Sequence, residues 1–63
     1  MEIITNDEQD FGMARRPTDE EYNLAKKVCE DRFAEEMGGI GVDKTTGVIY
    51  VETISGREFK IIL

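Results

Sequence analysis

The sequence predicts an α+β domain in which one amphipathic helix packs on a three-stranded antiparallel β-meander. Three observations carry this reading: a capped apolar stripe of helical period between residues 18 and 37, a change to period 2 from Ile40 onward, and two glycine-bearing turns that divide the second half into strand-length runs. A short β-prone start, Glu2-Ile3-Ile4-Thr5, either adds to a sheet edge, giving β-α-β-β-β order, or stays outside the sheet. The organisation is then an arm over residues 1–17 and a single α-β-β-β domain over residues 18–63.

Between Asn6 and Pro17 the arm is rich in charge and contains Gly12, with Phe11 and Met13 as its large apolar side chains. Docking of those two would order the arm; without it the arm is a tail. Arg15-Arg16 is a basic doublet in acidic surroundings and reads as solvated linker.

The helix is the strongest local expectation. Thr18 followed by Asp19-Glu20-Glu21 predicts a capping box, with Thr18 as N-cap and Glu21 at N3, and places three acids where the helix dipole is positive. Tyr22, Ala25, Cys29, Phe33 and Met37 then recur at three- and four-residue intervals, flanked by Leu24 and Val28. The stripe extends the helix to Met37, about twenty residues and roughly 30 Å, with Gly38 or Gly39 as the left-handed residue that ends it.

In the meander, Lys44-Thr45-Thr46-Gly47 predicts a four-residue hairpin loop that sets Val42 opposite Ile49 and Ile40 opposite Val51, all on one face. The second turn is open between two registers. A loop of Ile54 to Gly56 has the better turn chemistry, whereas a loop of Ser55 to Arg57 sets Glu52 opposite Lys60. Both place Phe59 and Ile61 on the face of Ile49 and Val51.

Composition bounds the function. A chain of 63 residues buries only about 60% of the surface it exposes unfolded, which leaves little room for a deep substrate cleft. Cys29 is the single cysteine and there is no histidine, so neither an intrachain disulfide nor an ordinary Cys/His zinc site can form. No cofactor motif is present: Gly38-Gly39-Ile40-Gly41 follows a helix and leads into a strand, the reverse of the order a phosphate-binding loop needs. Cys29 lies mid-stripe and reads as core, and the pairs Glu30-Asp31 and Glu35-Glu36 read as solvated helix surface. The reading is non-enzymatic, with no catalytic, cofactor-binding or metal residue assigned.

The formal net charge is -6, from 14 acids against 8 bases, and the excess lies wholly in residues 1–37. Such a charge disfavours direct binding to nucleic acid or anionic membrane. The lone cysteine and the absence of a signal-peptide pattern or an apolar run of bilayer length predict a cytoplasmic protein. One apolar feature then stands out. Val48, Tyr50, Ile54 and Ile62 alternate with the core positions and face away from the helix, so either the arm folds over them through Phe11 and Met13 or they are the expected protein interface, most simply of a homodimer. The leading functional expectation is a small regulatory, inhibitory or adaptor protein. The alternative is an acidic mimic of nucleic acid presenting Asp19, Glu20, Glu30, Asp31, Glu35 and Glu36 to a DNA- or RNA-processing protein.

Overall fold

The computed structural model describes residues 1–5 and 13–63. Along the chain run β1 (Glu2–Thr5), β2 (Ala14–Arg15), α1 (Asp19–Val28), a π-helical turn (Cys29–Phe33), β3 (Met37–Asp43), β4 (Ile49–Thr53) and β5 (Glu58–Ile62). The strands form one antiparallel sheet in the order β1-β5-β4-β3-β2, and α1 lies on one of its faces. This is the α+β architecture expected, with β1 added at an edge and a further short strand, β2, at the other.

The helix starts where its cap predicts. Thr18 is extended (φ -73°, ψ 167°); its hydroxyl accepts from the Glu21 amide at 3.2 Å, and its own amide donates to Glu21 Oε1 at 2.8 Å. Such a cap is worth about 1 kcal/mol. The helix end differs from expectation. Regular α-helix stops at Val28, a wider π turn carries the chain to Phe33, and Ala34 rather than a glycine takes the left-handed conformation (φ 53°, ψ 37°). Its amide donates to the carbonyls of Cys29 and Glu30, and the Glu35 amide also reaches Cys29 O at 3.3 Å, so the last turn is satisfied without Gly38 or Gly39.

Those two glycines belong to β3 instead, where the register shifts between Met37 and Gly39. Gly38 is there for close approach: a Cβ at this position would meet Thr53 O at 3.0 Å, Thr53 C at 3.1 Å and Ile54 Cα at 3.2 Å. The periodic stripe could not reveal this. Met37 fits a helical interval, yet it is paired with Thr53 as the first residue of a strand.

The hairpins obey their turn chemistry. Val42 pairs with Ile49 and Ile40 with Val51, as the sequence predicts, and Gly47 has φ 77°. The Asp43 carboxylate accepts from the amides of Thr45 (2.7 Å) and Thr46 (2.9 Å), which holds that carboxyl below the ordinary range. In the second hairpin the loop is Ile54-Ser55-Gly56: Thr53 N donates to Arg57 O at 2.8 Å, Gly56 N donates to Thr53 O at 3.0 Å, and Gly56 has φ 94°. The chain therefore takes the better turn and sets Glu52 opposite Glu58, forgoing the Glu52–Lys60 pair. A cross-strand ion pair is worth only about 0.2–1 kcal/mol, less than forcing a residue with a side chain into the left-handed region.

The core lies between helix and sheet. Ala25, Val28 and Cys29 from the helical segment meet Val42, Ile49, Val51, Phe59 and Ile61 from the sheet, all of them buried. Of the predicted stripe, Phe33 and Met37 are half-buried and Tyr22 is exposed, so the buried line is centred on Ala25, Val28 and Cys29. The Phe33 ring stacks on Phe59 at 5.1 Å, with the Arg57 guanidinium 6.0 Å from the Phe33 ring centre. Thr53 is buried with its hydroxyl accepting from the Arg57 amide at 3.1 Å. No helix among the described residues is long and apolar enough to cross a membrane.

Candidate functional site

Each predicted surface residue can be placed by register. Val48 pairs beside Asp43, whose amide donates to Val48 O at 2.9 Å, and Ile62, Lys60 and Tyr50 alternate with the buried positions of β5 and β4. Val48, Tyr50 and Ile62 therefore share the face turned away from α1, joined by Ile4 of β1, and all four are half-buried. Ile54 does not belong with them. It sits in the second turn, 63% exposed, beyond Glu52 and Glu58. Phe11, one of the two side chains expected to anchor the arm, lies outside the described residues; the other, Met13, is 65% exposed, with its carbonyl accepting from Lys44 N at 2.8 Å.

The six acids of the alternative reading do not form one helical row. Asp19, Glu20, Glu30 and Asp31 are exposed on α1 and the π turn, but the chain leaves the helix before Glu35 and Glu36. Glu35 turns back and pairs with Arg57 at 3.6 Å. The shortened helix is the cause.

Arg15 is not solvated linker. Its guanidinium grips the Glu21 carboxylate with two bonds of 2.8 Å each, and the backbone of Arg15 pairs with Val42. Glu21, which also accepts from the Thr18 amide, thus ties β2 to the helix start. These donors, Arg15 foremost, bring its carboxyl down to about 2. Cys29 is fully buried, and burial together with the nearby Glu35 and Glu30 charges pushes its thiol up. The three groups Glu21, Asp43 and Cys29 are thus held as weak bases or as a protonated thiol. No group of three or more metal-ligating side chains is found among the described residues.

A different place has the geometry of a binding surface. The bond from Thr53 N to Arg57 O fixes which residues of β5 turn toward β4. Alternation then points Phe59 and Ile61 at β4, and Glu58, Lys60 and Ile62 at β1. Ile4 and Glu2 face inward to Lys60 and Ile62, and the N–H and C=O groups of Ile3 and Thr5 turn outward at the sheet edge. Beside this edge a groove of about 240 Å³ runs between β1 and the helical segment. Its floor is apolar, from Ile3, Leu24 and Val28, and Lys27, Asp31 and Arg32 line its wall, the last two placed by the π turn. The opposite edge is blunt: β2 has two residues and is followed by Pro17, and β3 carries the irregularity at Gly38.

Sequence reasoning missed this site because it needs to know that β1 lies beside β5. The available signal was the β-branched pair Ile3-Ile4, together with Leu24 and Val28 on the flank of the stripe. The chain matches no protein-family model, no curated protein and no solved structure.

Proposed function

We propose that this chain is a small non-enzymatic protein-binding module, regulatory, inhibitory or adaptor in role, that takes an extended polypeptide on the outer edge of β1, the terminal strand of the sheet among the described residues. The observation that supports this reading is the edge itself: outward-facing backbone groups at Ile3 and Thr5 beside an apolar groove with charged walls. Strand addition draws affinity from the backbone bonds and specificity from side chains that enter such a groove. Glu21, Asp43 and Cys29 are each shifted away from acid–base or nucleophilic work at neutral pH, which fits binding better than catalysis.

Thr5→Pro is the discriminating variant. It deletes an outward donor from an exposed residue, and an edge strand accommodates proline when its N–H faces outward. Panning a phage-displayed library of random linear peptides against wild type and Thr5→Pro should enrich β-branched, extended sequences that bind wild type several-fold better. Equal recovery on both proteins refutes the proposed edge.

A further inference from the structure

We infer that the occupant of the β1 edge is a second copy of this chain, paired antiparallel about a two-fold axis at Ile3, so that two five-stranded sheets become one. This rests on the binding edge proposed above and names its partner. Ile3 and Thr5 present their N–H and C=O groups outward, and an antiparallel two-fold pairing of one strand with itself satisfies that row with an identical row. With the axis at Ile3, the Ile3 residues of the two chains exchange both bonds and Thr5 bonds Met1 of the other copy. Directly opposed residues share a face, so Ile3 meets its own copy on the helix side and the two apolar grooves join end to end.

Exposed edges are ordinarily blunted by lysine, proline, a bulge or very short length. The other edge of this sheet has three of these devices: two-residue β2, Pro17 and the irregularity at Gly38. Glu2-Ile3-Ile4-Thr5 pairs with β5 without a register shift, three of its residues are β-branched, and Glu2 is its sole charge. In a chain of net charge -6, most self-contacts set acid against acid, whereas this groove holds Lys27 and Arg32 with Asp31 and so offers both signs to its two-fold mate. Size then sets the strength. A standard interface buries about 800 Å² per partner, roughly a fifth of this chain's 4315 Å², and a four-residue edge with its groove supplies less. The dimer is accordingly a weak, exchanging one.

Two measurements test this. Across the axis the Ile3 Cα atoms lie about 5.5 Å apart, inside the range a disulfide spans, whereas the Thr5 Cα atoms are separated by more than 10 Å. Ile3→Cys should therefore oxidise to a covalent dimer at least tenfold faster than Thr5→Cys, while wild type, whose Cys29 is buried, should not cross-link. Sedimentation equilibrium of wild type should show a monomer–dimer equilibrium, and Thr5→Pro, which removes one edge bond from each chain, should raise its dissociation constant about tenfold. A wild-type chain that is monomeric at several hundred micromolar overturns the inference. If that monomer still selects peptides in a Thr5→Pro-sensitive way, the edge binds a different protein and the proposed function survives. A dimer that ignores Thr5→Pro but dissociates in Ile62→Glu lies on the opposite face of the sheet, and it too overturns the inference.

Discussion

Two neighbouring glycines in β3 should respond to the same substitution with opposite sign. At Gly38 an added Cβ meets three backbone atoms, at 3.0, 3.1 and 3.2 Å, all from Thr53 and Ile54. Those atoms cannot give way singly, because Thr53 N is bonded to Arg57 O at 2.8 Å and Ile54 N to Glu36 O at 3.1 Å. Inserting a methyl into such a packed place costs about 1–3 kcal/mol. At Gly39 nothing lies within 4 Å of the added Cβ, and neither residue needs a positive φ. Gly39→Ala should then gain the unfolded-state term alone, about 0.4–1 kcal/mol of stability. That term is common to both variants, so their difference isolates the contact and should be about 1–3 kcal/mol. Thermal denaturation followed by circular dichroism reads it directly, since for a domain of this size 1 kcal/mol moves the melting temperature by about 4–8 °C. Equal midpoints for Gly38→Ala and Gly39→Ala would refute the placement of Gly38 against β4.

Ala34 is exposed and left-handed, so Ala34→Gly should stabilise the domain by about 0.5–1 kcal/mol, measured as a raised urea midpoint; a lowered midpoint would mean that the π turn ends elsewhere. Glu21 has its carboxyl lowered from 4.5 to about 2 on folding, so the stability it contributes is present above pH 4.5 and is lost as pH falls toward 2. Wild type should lose more stability than Glu21→Gln between pH 5 and pH 2, and parallel curves would show that the Arg15–Glu21 pair does not form in solution. Cys29 should label with a thiol reagent at least a hundredfold more slowly in native buffer than in denaturant, because it is buried and its thiol is pushed up. Comparable rates would remove it from the core.

Most of the fold could be read from local chemistry. The capping box at Thr18 and Glu21, the loop closed by Gly47 and the sheet positions of Ile49, Val51, Phe59 and Ile61 each follow from signals a few residues long. What escaped depends on partners distant in sequence. Gly38 and Gly39 carry an identical local signal as helix stop and as strand, and only the backbone of Thr53 distinguishes them. Arg15 looked like loose linker because Glu21 holds it across a turn of chain, and the two-residue strand it anchors is too short to have a period. The candidate surface was the least legible part, since it is assembled from β1 and the flank of α1 once β1 has docked on β5.

That docking joins Glu2 to Ile62, nearly the two ends of the sequence, whereas β3, β4 and β5 are linked by loops of four and three residues. Loop closure therefore orders the folding: the meander and the helix on it can assemble first, and β1 closes the longest loop and joins last. By the same reasoning β1 is the first strand to leave when the native state opens locally, so its inward amides, at Glu2 and Ile4, should exchange with solvent faster than those shared by β4 and β5. The edge laid bare by that opening belongs to β5, where Glu58 and Lys60 interrupt the apolar run of Phe59, Ile61 and Ile62. Those two charges guard the transient edge against runaway pairing, where β1 itself carries one, Glu2.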